Sequence, residues 1–147
     1  MTGLRSLVEA DVPTVAALER ELFARSAWTE PMIRDELTAP GRYYVAMTDD
    51  EDAVLAYAGS WFDGDVSQVM TLGVASRAQR HGLGRILLRA LLDHARGLGA
   101  SAMFLEVAVD NDAALALYTA EGFEILARRP RYYQPEDVDA WTMRLML

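Results

Sequence analysis

The stretch Val74-Ala75-Ser76-Arg77-Ala78-Gln79-Arg80-His81-Gly82-Leu83-Gly84-Arg85 joins an apolar strand to a long amphipathic helix. The strand pattern arrives through Val66 to Val74, and the helix pattern leaves as Ile86, Leu87, Leu88, Ala90, Leu91, Leu92 and Ala95. Gly82 and Gly84, one residue apart at the mouth of the helix, let backbone N–H groups face outward with no Cβ in the way. First-turn amides of a helix lack internal partners and sit at the positive end of its dipole. The expected product is a pocket for an anionic group, a phosphate or pyrophosphate. Arg77, Arg80 and Arg85 place positive charge here in a chain whose formal net charge is −8.

Two familiar phosphate loops are excluded. A P-loop closes on Gly-Lys-Ser or Gly-Lys-Thr, and the chain contains no lysine. A dinucleotide fingerprint needs a third glycine where Leu87 stands, and too little chain remains for a second nucleotide-binding half. What is left, Gln79-x-x-Gly82-x-Gly84, resembles the Q/R-x-x-G-x-G/A signature of the GNAT N-acetyltransferases. In that family the loop amides hold the pyrophosphate of acetyl-CoA. Taken alone, so short a pattern also fits an ordinary tight helix entry.

Length and composition limit the rest. The 147 residues suit one domain with a substantial core, and 52% hydrophobic with 24% charged residues is a globular balance. Without cysteine there is no disulfide scaffold, thiolate nucleophile or Cys-based zinc site, and His81 and His94 are too few for a histidine metal cluster. Both histidines are expected in solvent or facing a helix dipole. The acidic N-terminal region has no signal-peptide pattern and no stretch approaches a membrane span, so a cytoplasmic protein without membrane contact is expected. The negative charge argues against nucleic acid as a ligand and is compatible with a cationic acceptor such as an amine or basic peptide.

Along the chain, Leu4 to Val8 reads as a strand, and Asp11 and Pro13 open a helix, Asp11 near its N-cap, running to about Ala24. Thr29-Glu30-Pro31 opens a second helix that Pro40-Gly41 ends, with Trp28 in the loop between them, either a lid on the core or part of a substrate wall. Strands follow at Tyr43–Met47, Val54–Phe62 and Val66–Val74, then the long helix to Gly97-Leu98-Gly99, and an almost continuously apolar strand at Ala102–Val109. Asp110-Asn111-Asp112 caps a helix stopped by Gly122. Phe123–Ala127 is a strand, Arg128–Asp139 a loop and Ala140–Leu147 the last strand. The result is a mixed α/β chain in the order β-α-α-β-β-β-α-β-α-β-β, one domain over residues 1–147.

Glu106 is the one charged residue between Ala102 and Val109. Burying a carboxylate there costs several kcal/mol unless it is paired, and burial moves a carboxyl toward the range useful to a general base. An α-amine must lose a proton before attacking a thioester, and Glu106 could take it; a salt-bridged glutamate at the sheet mouth is the alternative. Tyr118, twelve positions on, is either a core aromatic or the acid that protonates a departing thiolate. Asn111 is an N-cap that is also placed to touch a bound cofactor.

These residues fall in a longer pattern. Leu105-Glu106-Val107-x-x-x-Asn111-x-x-Ala114-x-x-Leu117-Tyr118-x-x-x-Gly122-Phe123 resembles the corresponding block of bacterial RimI-type N-terminal acetyltransferases, as do Trp28-Thr29, Met70-Thr71-Leu72-Gly73-Val74 and Arg128-Arg129-x-x-Tyr132-Tyr133. The resemblance implies the GNAT fold with a central splayed mixed sheet, and acetyl-CoA as cosubstrate without a metal. It makes Glu106 the proton acceptor and Tyr118 the proton donor. It assigns Leu72, Gly73 and Val74 to acetyl-CoA through main-chain groups, Arg80, His81, Gly82, Leu83, Gly84 and Arg85 to the pyrophosphate, and Asn111 to the same cofactor site. It implies direct attack in a ternary complex on a protein N-terminus, the N-terminal alanine of the eighteenth small-subunit ribosomal protein, by a monomer or weak dimer. Ala108, Asp110 and Gly73 depart from the family's usual Arg, Ser and Ala, and the first two border the peptide groove. Rival readings are a GNAT enzyme acting on a small amine of polyamine or aminoglycoside type, and a non-catalytic acyl-CoA-binding module.

Overall fold

A computed structural model describes residues 3–133 and 138–147. Among the described residues seven strands form one sheet: β1 (Gly3–Ser6), β2 (Arg42–Thr48), β3 (Val54–Phe62), β4 (Ser67–Val74), β5 (Ala102–Ala108), β6 (Glu124–Tyr133) and β7 (Val138–Met146), in the spatial order β1-β2-β3-β4-β5-β7-β6. Neighbours are antiparallel except for the parallel pair β4 and β5. The helices are α1 (Val12–Phe23), α2 (Glu30–Thr38), α3 (Leu83–Gly97) and α4 (Asp112–Ala120). The expected element order and the mixed α/β class are what the structure contains.

Side-chain alternation fixes the layers. A Cβ built on Gly73 would meet Leu22 of α1, whereas Leu72 and Val74 on either side of it lie near Gly84 of α3. Successive strand residues point to opposite faces, so α1 and α3 cover opposite faces of the sheet. The inner face of α3 buries Leu83, Leu87, Leu88, Leu91, Leu92 and Ala95 at helical spacing. Burying each leucine contributes about 2 kcal/mol, far more than any propensity term. On the other face α1 buries Val12, Val15, Ala16 and Leu18, and also Glu19.

Two irregularities shape the sheet around one crevice. β4 and β5 pair only at Ser67 with Met103 and Gln68 with Phe104, after which they separate. β5 instead pairs along its whole length with β7. The carboxyl ends of the two parallel strands therefore enclose an open wedge, where α3 and α4 begin. Opposite β3, the register slips so that Gly59 faces Thr71 and Ser60 faces Val69, leaving Met70 as a bulge that turns β4 at the crevice.

Two local expectations need correction. The first strand ends at Ser6, because the chain turns into a short 3₁₀ segment over Glu9–Asp11. Asp11 is the N-cap residue of α1 as expected, though its carboxylate accepts the Val8 N–H at 2.9 Å and pairs with Arg5 at 2.7 Å instead of capping the helix. The segment read as a loop from Arg128 is strand to Tyr133 and strand again from Val138, Arg128 facing Trp141 and Arg129 facing Ala140. Pro130 and the positive φ of Arg131 mark a bulge, which an edge strand tolerates because its outer side needs no ladder. The rest of that expected loop, residues 134–137, lies outside the described residues.

Candidate functional site

The loop between β4 and α3 ends in a tight turn at the entry of the helix. Gly82 is the N-cap of α3 at φ 77°, in the left-handed region that a side chain disfavours. The first helical bond runs from the Ile86 N–H to the Gly82 carbonyl at 3.2 Å, so the Leu83, Gly84 and Arg85 amides have no carbonyl of the helix to bond. Gln79 braces the loop by donating to the Val74 carbonyl at 3.1 Å. Arg80 and His81 are exposed, while the Leu83 side chain is buried, so from Leu83 only the main chain faces outward. A Cβ on Gly84 would lie 3.3 Å from Leu117, which lets α3 and α4 approach closely beside the wedge.

The wedge supplies more main-chain donors. The Ala75 N–H bonds to the Leu55 carbonyl on β3 at 2.8 Å. Amides alternate in direction along a strand, so those of Val74 and Leu72 point away from β3, into the open side toward β5. Gly73 points its amide at β3, and its missing Cβ makes room for Tyr57, whose hydroxyl would stand 2.6 Å from that Cβ. The departure from alanine at this position thus follows from the tyrosine beneath it.

Glu106 is paired, as the alternative of a salt-bridged glutamate at the sheet mouth required. Its carboxylate accepts Thr142 Oγ1 at 2.6 Å, directly across the β5–β7 ladder, and pairs with Arg129 at 3.2 Å. The Tyr133 hydroxyl donates to the Glu106 carbonyl at 3.2 Å, and the Arg129 guanidinium lies 4.5 Å over the Tyr132 ring. Glu106 opens onto a cavity of about 500 Å³ whose walls include Trp28, Met32, Met70, Tyr132 and Tyr133. Trp28 both lines this cavity and packs against the core.

Tyr118, on α4, does not line that cavity. It is buried, its ring edge-on to Phe123 at 5.8 Å, and burial pushes its phenol up to about 12. Its proton is therefore held at neutral pH. Burial raises the Tyr133 phenol, and the negative charge of Glu106 adds to the rise. Asn111 caps α4, its side chain accepting the Ala114 N–H at 3.2 Å.

One charged expectation changes. Arg85 does not offer a free guanidinium, since it pairs at 3.0 Å with Glu121, which Arg89 also holds at 3.2 Å. These pairs tie α3 to α4. His94 lies in the last turn of α3, where the dipole alternative put it; its ring also stacks on Tyr43 at 3.8 Å, and partial burial lowers its pKa.

Sequence reasoning left without a role the walls Met32, Met70, Tyr132 and Tyr133 and the Glu106 partners Thr142 and Arg129. They come together only because β5 pairs with β7 and the loop before α2 folds over β4, a proximity with no local signal.

Comparison with known proteins agrees with this geometry. The Acetyltransferase (GNAT) family model matches residues 9–123. The N-α-acetyltransferase RimI of Mycobacterium tuberculosis is 40% identical over 144 residues, covering 95% of this chain and 89% of that protein. The ribosomal protein bS18-alanine N-acetyltransferase of Escherichia coli is 30% identical over 137 residues, covering 93% and 90%. The crystal structure of the ribosomal-protein-S18-alanine N-acetyltransferase from Escherichia coli superposes with a TM-score of 0.89 at 29% identity, covering 99% of this chain and 94% of that one. The chain belongs to the GNAT acetyltransferase family and is an acetyltransferase.

Proposed function

We propose that this chain acetylates the α-amino group of a protein N-terminus with acetyl-CoA as donor, and that its acceptor is the N-terminal alanine of ribosomal protein S18. The observation that carries the reading is the cavity over Glu106, open between Trp28 and Tyr133 and reaching the wedge of β4 and β5. Such a groove takes an extended chain end whose amine arrives at the carboxylate. The names of the relatives from Escherichia coli supply the acceptor.

In this reading the α3 amides and Arg80 hold the diphosphate, and the Val74 and Leu72 amides polarise the thioester carbonyl. Glu106 accepts a proton from the ammonium, directly or through water, and the free amine attacks the carbonyl carbon. The C–N bond forms, the C–S bond breaks, and the leaving thiolate takes the Tyr118 proton; the second proton lost by the nitrogen restores the Tyr118 phenol and Glu106 passes its proton to water, giving an N-acetylated chain and free coenzyme A. No cysteine is available for a covalent relay, so attack is direct in a ternary complex. The enzyme works as a single domain, monomeric or weakly dimeric, in the cytoplasm; among the described residues no helix is long and apolar enough to cross a membrane.

The test is mass spectrometry of peptides and free polyamines incubated with the enzyme and acetyl-CoA. The expected result is an acetyl group on the α-nitrogen of peptides beginning with alanine. Transfer to polyamines alone, or to neither, overturns the reading.

A further inference from the structure

Glu19 is 2% exposed, and none of the steps above uses it. It sits on the inner stripe of α1 beside Val15, Ala16 and Leu18. Its carboxylate accepts three hydrogen bonds from three separate segments: Tyr57 Oη on β3 at 2.6 Å, Thr71 Oγ1 on β4 at 2.9 Å and the Trp28 backbone N–H at 2.9 Å. A carboxylate is costly to bury unless donors replace its water, and these donors are two hydroxyls and an amide rather than a cation. The Tyr57 phenol is raised well above its usual range by burial and by the Glu19 charge, so its proton stays on the bond.

The three donors belong to the walls of the acceptor cavity or lie directly under them. Trp28 is a wall, and Thr71 follows Met70, the bulged residue that forms the facing wall. Tyr57 fills the space that Gly73 leaves open, beneath the strand segment whose amides face the wedge. One carboxylate thus holds the loop before α2 and the bend of β4 at a fixed separation.

We propose that Glu19 is a positioning residue of the acceptor site: it sets the width of the cavity between Trp28 and Met70, and through that width the affinity for the acceptor, without touching either substrate. The proposal rests on the reading of that cavity as the acceptor site. A residue that merely packs would lower the melting temperature and leave the balance between acceptor and donor unchanged.

The test uses Glu19→Gln, which sets an NH2 against groups that donate, and Thr71→Val, which removes one donor at nearly constant shape and keeps the proposal testable if the first variant fails to fold. For an alanine-initiated peptide, KM is expected to rise about tenfold in Glu19→Gln and about threefold in Thr71→Val. The acetyl-CoA Kd should stay within about twofold of the parent. Hydrogen exchange of the Trp28 amide should accelerate about tenfold in Glu19→Gln, with α3 unchanged. An unaltered peptide KM, a parallel rise in acetyl-CoA Kd, or an unaltered Trp28 exchange rate overturns the proposal. If the parent enzyme acetylates no peptide, the acceptor reading fails by itself, and the exchange rate still decides whether Glu19 holds Trp28.

Discussion

On the proposed donor side of the crevice the available groups are main-chain amides, those of Leu72 and Val74 on β4 and those of Leu83, Gly84 and Arg85 at the start of α3. On the proposed acceptor side the walls are side chains drawn from distant segments: Trp28 before α2, Met70 on the β4 bulge, Glu106 on β5, Tyr132 and Tyr133 at the end of β6. A site made of backbone depends on conformation, and tolerates exchange of most of its side chains. A site made of side chains depends on each of them. The donor is the same acetyl carrier in every turnover, whereas the acceptor is what distinguishes one such enzyme from another. The two halves therefore carry different kinds of information.

If that division holds, the largest effect comes from a side chain on the acceptor half. Glu106→Gln is expected to lower kcat about a hundredfold to a thousandfold while leaving the acetyl-CoA Kd within about twofold. Tyr118→Phe should lower kcat about tenfold to a hundredfold with the same unchanged Kd. Steady-state kinetics together with calorimetry separate the two quantities. A large loss of acetyl-CoA affinity in either variant would break the comparison.

A conformational change should matter most on the donor half. Gly82→Val forces a branched side chain into φ 77° and is expected to weaken acetyl-CoA about tenfold in a calorimetric titration. Arg85→Ala leaves the amide in place and removes a guanidinium already paired with Glu121. It should change the Kd by less than about threefold and the unfolding free energy by less than about 1 kcal/mol in a urea titration. The contrast between these two variants sharpens the claim that backbone, not charge, forms the grip.

A smaller effect appears at high pH. Burial pushes the Tyr118 phenol up to about 12 in the folded chain, from its ordinary value of about 10 when unfolded. Above the lower value the unfolded chain releases its proton first, so this contribution to stability is complete below pH 10 and is lost as pH rises toward 12. The difference between parent and Tyr118→Phe in urea titrations should shift by about 2 kcal/mol across that window. No shift would mean that the phenol is not buried as described.

The same division explains what the sequence made legible. The glycine loop, the strand from Val54 to Phe62 and the helix after Gly82 carry local signals: alternation, apolar spacing and turn residues. The donor half could be read because its features lie within one continuous stretch. Glu106 was found as a lone charge in an apolar run, but its partners Thr142 and Arg129 lie on strands joined to it only by tertiary pairing. Glu19 carried the same signal, a charge on the apolar stripe of α1, and is the more deeply buried of the two. Pro130 and its neighbouring arginines resemble a loop because an exposed edge strand has no buried face to impose alternation.

The central claim is that main-chain amides grip the acyl carrier's diphosphate while side chains hold the acceptor. A coenzyme A titration of ¹⁵N-labelled protein, followed amide by amide, tests it most directly. The account predicts that the Leu72, Val74, Leu83, Gly84 and Arg85 resonances move together while that of Trp28 stays in place. Movement centred on Trp28 and Tyr133, or none in the loop after Val74, would contradict it.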